Sequence, residues 1–415
     1  LGKWRVCLPK IMIGLSTMSD TVAPMLSVFP SRALVDENFK VVVENLPPGS
    51  PVTLHSLHQC EDKHYWEAYG HYISNHRGTV SVTDDLSFGG TYTGKEAMGL
   101  LWSMRPVPGS REGLRLRKRN VCSPLLVNIS VYRGHVVEGF REQAPLASSL
   151  TERWYMAPGG PCFYLQVHYL KNYFLVFFSF CPGPFPGLLD VWGGGGGLVE
   201  YRSALLGSHG YASLALEYFA PGELKSSDLE FNYFETAFNI VKDHPQVMPD
   251  KVGIFGLSLG ASLTLLLAAE SSIIKVSDIL FVLCVCAIKI GPLTHIGLFY
   301  KPTLKSFFLV ISFKVGRINC PVMVVNSHDD QNMATVESSE DMMRAAGNLH
   351  LLTRLYYPDA GHLIEPPYTP HFRATKFVKD TKEKVILLWG GQTKPHSDAQ
   401  EDSWKKILAF LEQNL

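Results

Sequence analysis

From residue 20 to about 150, apolar positions alternate with polar ones or run as short β-branched stretches between turn residues. Residues 39–44, 51–56 and 79–82 predict strands, with Pro47-Pro48-Gly49 and Gly89-Gly90 among the turn markers between them. Leu114-Arg115-Leu116-Arg117 alternates with period two, and a further strand over 125–129 follows at hairpin distance. Short strands recurring every ~8–12 residues without a strong helix predict an Ig-like β-sandwich over residues 20–150.

Beyond about residue 185 the pattern becomes strand, glycine-rich turn, helix, strand. The apolar run 187–192 stops at five glycines, Gly193–Gly197, and Leu198, Tyr201 and Leu205 then fall on one helical face that His209-Gly210 ends. A buried strand over 211–216, a helix over 231–243 and a strand over 251–256 follow. This alternation is the signature of a parallel sheet covered by helices on both faces, so residues 151–415 are expected to form an α/β domain. Trp404, Ile407, Leu408 and Leu411 make one stripe of a terminal amphipathic helix that would pack onto the sheet.

Composition narrows the class. The chain has 415 residues, of which 46% are hydrophobic and 18% charged, which excludes global disorder. With 38 basic and 38 acidic side chains the net charge is zero, which argues against nucleic acid or an anionic membrane as the main partner. No apolar stretch reaches the ~18 residues of a transmembrane helix, so no integral membrane association is expected. Eight scattered cysteines without a CxxC or zinc-ligand spacing fit reduced thiols, an intracellular setting and no structural metal. Residues 1–19 carry Lys3, Arg5 and Lys10 and no acid; they read as a leader or a gene-model fragment, with Met18 as a plausible start. Arg111, Arg115, Arg117, Lys118 and Arg119 form a basic cluster that either attracts phosphates or is a solvated strand edge. His55, His58, His64 and His71 lack metal-ligand order and are expected on the surface of the β-domain.

Gly256-Leu257-Ser258-Leu259-Gly260 fits G-x-S-x-G, ends an apolar strand and opens an uncharged helix over 261–269. A strand-to-helix turn of that kind strains the serine backbone and exposes its oxygen, and a Cβ at either flanking glycine would strike the neighbouring strand or helix. Serine hydrolases built on such a sheet place an acid and then a histidine later in the chain. Asp330, just past a strand over 321–326, is the candidate acid, with Asp329 its competitor because pattern cannot resolve one residue. His362 sits in a turn after Leu355-Tyr356-Tyr357, where the base belongs. The backbone N–H groups of Gly193, Gly194 and Leu259 are candidates for an oxyanion hole. A phosphate loop is the other reading of the glycines, but no G-K-[ST] follows.

These residues resemble the type I acyl-CoA thioesterases and their sister, the bile acid-CoA:amino acid N-acyltransferase. Matching stretches include Trp102-Ser103-Met104-Arg105-Pro106, Pro182-Gly183-Pro184-Phe185-Pro186-Gly187 and Gly195-Gly196-Gly197-Leu198-Val199-Glu200-Tyr201-Arg202. Gly361-His362-Leu363-Ile364-Glu365-Pro366-Pro367-Tyr368 and Trp389-Gly390-Gly391 also match. The resemblance implies an N-terminal β-sandwich joined to a C-terminal α/β-hydrolase domain. It also implies a Ser258–Asp330–His362 triad and a fatty or bile acyl-CoA substrate, with no cofactor beyond that thioester. Serine stands where the N-acyltransferase has cysteine, which favours hydrolysis over transfer to glycine or taurine; a catalytically silent acyl-binding homologue is the remaining alternative. The expected placement is the cytoplasm, with the peroxisome or mitochondrion as the alternatives. Residues 162–180 and 272–319 depart from the family pattern, and Leu259 replaces a frequent lysine.

Overall fold

The computed structural model describes residues 22–111, 113–157, 174–177, 183–194, 197–218, 231–270, 281–285, 317–332, 343–344, 347–378 and 384–415. The expectation for residues 1–19 lies outside these, as do Gly195, Gly196 and most of the two atypical segments.

The N-terminal strands are β1 (Met25–Phe29), β2 (Arg32–Leu34), β3 (Lys40–Glu44), β4 (Pro51–Gln59), β5 (Tyr65–Ile73), β6 (Val80–Ser81), β7 (Arg105–Pro106), β8 (Leu125–Arg133) and β9 (Ala147–Trp154), with the short helix α1 (Gly99–Trp102) between β6 and β7. They build a three-stranded sheet, β1-β3-β6, and a six-stranded sheet, β2-β9-β8-β4-β5-β7. Alternate residues from both sheets share one core: Leu26, Val28, Val41 and Val43 meet Leu54, Trp66, Ala68 and Ile129.

Two expectations fail here. Residues 114–117 form no strand: Leu114 enters the core, Arg115 reaches Glu365 and Lys118 pairs with Glu61, so the alternation is satisfied by ion pairs instead of a ladder. His55, His58 and His71 are buried rather than superficial, because β4 and β5 lie inside the six-stranded sheet and are covered on both faces. His55 stacks on Phe140 at 4.0 Å and meets Glu67, His71 meets Thr53, and His58 donates to the Leu126 carbonyl. Only His64 of the four is partly exposed.

The second half is organised on a seven-stranded sheet of β10 (Phe174–Phe177), β11 (Phe185–Val191), β12 (Ala212–Leu216), β13 (Val247–Leu257), β14 (Phe281–Val285), β15 (Val322–Ser327) and β16 (Leu352–Tyr357). Its order is β10-β12-β11-β13-β14-β15-β16, with β10 antiparallel to β12 and the other pairs parallel. Two of these strands, β10 and β14, come from within the atypical segments. Helices α2 (Tyr201–Ser208), α3 (Phe231–Lys242), α4 (Leu259–Glu270) and α5 (Thr393–Asn414) pack on the sheet, and β17 (Ala374–Val378) pairs with β18 (Lys384–Leu388) beside it. The helix after the glycine run starts at Tyr201, leaving Leu198 in the connection.

Period-two burial runs through both faces of this sheet. Leu189, Ile254 and Val324 pack with α3 and α4, whereas Leu188, Phe255, Met323 and Val325 pack with α2 and α5. Val35, Val121 and Tyr155 from the N-terminal half join the second of these cores. The parallel strands with crossovers to both faces, and a nucleophile-type turn after β13, give an α/β-hydrolase arrangement.

Candidate active site

Three strand ends deliver the site. Ser258 follows β13, Asp330 lies three residues past β15, and His362 lies five residues past β16. Ser258 has φ +58°, the left-handed conformation a β-carbon disfavours, held between a strand and a helix that leave no alternative path. A Cβ built on Gly260 would lie 2.1 Å from the Val191 carbonyl oxygen, and one on Gly256 would lie 2.4 Å from that of Gly260. The two glycines are therefore what lets α4 start hard against β11 and β13.

The side chains form one line. His362 Nε2 lies 2.8 Å from Ser258 Oγ, and His362 Nδ1 lies 2.7 Å from Asp330 Oδ2. The other Asp330 oxygen accepts the Asn332 N–H at 2.8 Å. Both His362 and Asp330 are buried, while Ser258 is partly open. A buried carboxylate facing one ring nitrogen fixes the tautomer that leaves the other nitrogen free to take a serine proton.

Asp329 does something different. Its Oδ2 accepts the Gly391 N–H at 2.8 Å, its Oδ1 accepts from Gln331, and its main-chain N–H donates to Ala360. The Gln331 hydrogen bond leads the causes that hold its carboxyl below the usual range, opposed by burial. It ties the Gly390-Gly391 turn to the strand end, and its carboxylate hydrogen bonds go to Gly391 and Gln331.

Gly193 lies against Ser258, where a Cβ would sit 3.2 Å from the serine Cβ, and Leu259 is the first residue of α4. The glycine loop is anchored at both ends. Asp190 at the end of β11 receives Arg202 Nε at 3.0 Å and Ser203 Oγ at 2.8 Å, all within the core. The Arg202 guanidinium lies over Phe255 at 3.9 Å and Trp192 at 4.7 Å, and the Tyr218 hydroxyl donates to the Trp192 carbonyl.

Further groups brace the histidine turn. Tyr201 OH donates to Glu365 at 2.7 Å, and Arg115 pairs with the same carboxylate. Arg115 and Lys118 of the basic cluster are thus turned inward, and Arg111 and Arg119 stay exposed. On the other side, His396 of α5 bonds to Gly361 and Leu363. Sequence reading passed over His396, although stepping back by helical turns from Trp404 through Gln400 reaches it on the buried stripe. No comparable signal marked the Tyr201–Glu365–Arg115 group, whose members are far apart in the chain.

Comparison with known proteins decides the relationship. The family described as Acyl-CoA thioester hydrolase/BAAT N-terminal region matches residues 36–165, and BAAT / Acyl-CoA thioester hydrolase C terminal matches 229–310 and 310–415. The peroxisomal succinyl-coenzyme A thioesterase of Mus musculus is 34% identical, with 95% of this chain and 97% of that protein aligned. This chain belongs to the acyl-CoA thioester hydrolase and bile acid-CoA:amino acid N-acyltransferase family. The human bile acid-CoA:amino acid N-acyltransferase is 32% identical over 94% of this chain and 97% of its own length. Acyl-coenzyme A thioesterase 2, mitochondrial, of Rattus norvegicus is 30% identical over 97% and 92%. The C-terminal match of this thioester hydrolase family takes in Ser258, Asp330 and His362.

Among the described residues no helix is long and apolar enough to cross a membrane, and no group of three or more His, Cys, Asp or Glu side chains could hold a metal ion.

Proposed function

We propose that this chain is a serine-dependent acyl-CoA thioesterase, releasing a free fatty acid and coenzyme A. The observation that carries the reading is the unbroken hydrogen-bonded line from Asp330 through His362 to Ser258 at a left-handed elbow. Residues 20–150 are read as an Ig-like β-sandwich, supported by two sheets sharing one core, and residues 151–415 as the α/β-hydrolase catalytic domain.

His362 takes the proton of Ser258 as Oγ attacks the thioester carbonyl, and Asp330 stabilises the imidazolium that forms. The backbone N–H groups of Leu259, Gly193 and Gly194 receive the oxyanion; one such donor is worth about 10²–10³ in rate. The C–S bond then breaks, coenzyme A leaves with the proton from His362, and an oxoester remains on Ser258. His362 next deprotonates a water, whose attack releases the acid and restores the serine. These steps call on no metal or redox cofactor. Relatives named as peroxisomal and mitochondrial support an intracellular placement.

Serine at the nucleophile position supports water as the acceptor: its acyl-enzyme is an oxoester, which amines attack less readily than a thioester. The test supplies one fatty acyl-CoA with and without glycine or taurine and identifies the product. Free acid as the main product in both cases is expected. Amide as the main product would replace this reading with amino acid N-acyl transfer.

A further inference from the structure

His396 is a buried, titratable side chain that the chemistry above does not use. It lies on the sheet-facing stripe of α5, 2% exposed, and its two nitrogens engage the peptide units on either side of the base. The Gly361 N–H donates to Nδ1 at 3.0 Å, and Nε2–H donates to the Leu363 carbonyl at 2.8 Å. Between them, the His362 N–H donates to the Trp389 carbonyl at 2.8 Å. Only the neutral imidazole with its proton on Nε2 satisfies both partners, because a protonated ring has no acceptor for Gly361.

The turn it grips has no slack. A Cβ on Gly361 would lie 2.4 Å from the Gly390 carbonyl oxygen. His371, whose ring centroid is 4.5 Å from that of His396, donates Nε2–H to this same Gly390 oxygen at 2.8 Å.

We propose that His396 is a positioning residue for His362, a neutral clamp that fixes the backbone from which the base reaches Ser258. The inference rests on the Ser258–His362–Asp330 reading. It differs from ordinary core packing because both polar atoms of one ring are spent on residues 361 and 363. Displacement of a catalytic group by about 1 Å can cost on the order of a hundredfold in rate.

Three variants separate the bonds. His396→Leu keeps bulk and loses both. His396→Asn places an amide oxygen near Nδ1 and retains the Gly361 bond, whereas His396→Gln places an amide N–H near Nε2 and retains the Leu363 bond. The readout is the rate constant for labelling of Ser258 by a fluorophosphonate, with the labelling endpoint counting active sites. It is accompanied by kcat and KM on an acyl-CoA, and by Tm.

The Leu variant is expected to label about tenfold or more slowly, with kcat falling in parallel and KM within about twofold of wild type. The Asn and Gln variants should lie between, and they carry the comparison if the Leu variant does not fold. A lower Tm or endpoint with an unchanged rate constant per labelled site would reduce His396 to a structural residue and overturn the proposal. Absence of labelling in the wild type would overturn the triad reading and this inference together. Labelled wild type with unaffected variants would overturn this inference alone.

Discussion

The His362 imidazole lies nearly parallel to the Trp389 indole, 5.5 Å between centroids and 17° between planes, while the His362 N–H donates to the Trp389 carbonyl. One residue thus holds His362 twice, by its backbone and by its ring face. The indole is itself fixed, with Nε1 donating to Thr375 Oγ1 at 2.9 Å across the β17–β18 pair. Trp389 thereby restrains the His362 ring on one face and its backbone at the same residue.

Trp389→Phe keeps an aromatic face and loses the Thr375 bond, which costs about 1 kcal/mol of stability. Its kcat should stay within a few-fold of wild type. Trp389→Ala removes the face and should lower kcat about tenfold or more with KM little changed. Equal kcat in the two variants would show that the stacking does not position the base.

Asp330→Asn should depress kcat by up to about 10⁴, because the amide cannot stabilise the imidazolium and can hold the wrong tautomer. Asp329→Asn should change kcat by no more than about threefold while lowering Tm, since Asp329 bonds Gly391 and not His362. Steady-state kinetics and thermal melts of both variants test this, and the reverse ranking would refute the assignment.

Burial pushes the His396 pKa down to about 3, from about 6.5 when unfolded. The unfolded state therefore binds the extra proton first, so this group's contribution is intact above pH 6.5 and is lost as pH falls toward 3. The stability gap between wild type and His396→Gln should shrink over that window, measured by urea unfolding at a series of pH values. A gap independent of pH would mean that His396 takes up its proton as readily in the folded protein as in the unfolded chain, contradicting a ring held neutral by burial.

What the sequence disclosed follows how local each feature is. The elbow was legible because Gly256, Ser258 and Gly260 satisfy a steric demand within five residues, and β11, β12, β13 and β15 because strands buried on both faces read as short apolar runs. Asp330 against Asp329 was not legible, because one residue of register past β15 swaps a partner of His362 for a partner of Gly391. Residues 114–117 misled because period-two alternation also arises when Leu114 and Leu116 pack on the core while Arg115 reaches the Glu365 carboxylate from a distant segment. The β4 and β5 histidines misled for a related reason: Glu67, Thr53 and the Leu126 carbonyl satisfy them inside the protein, and none of those pairings leaves a mark in the chain.

The central claim is that Ser258 carries the acyl group, and rapid quenching followed by peptide mass spectrometry tests it most directly. Wild type mixed with a fatty acyl-CoA should show the acyl mass added on the peptide containing Ser258, together with free coenzyme A in the quenched sample. Ser258→Ala should keep its fold by circular dichroism, show no adduct and lose nearly all turnover, with residual rate from binding and the oxyanion donors alone. Wild-type turnover by folded Ser258→Ala, or an acyl adduct on another residue that turns over at the steady-state rate, would contradict the account.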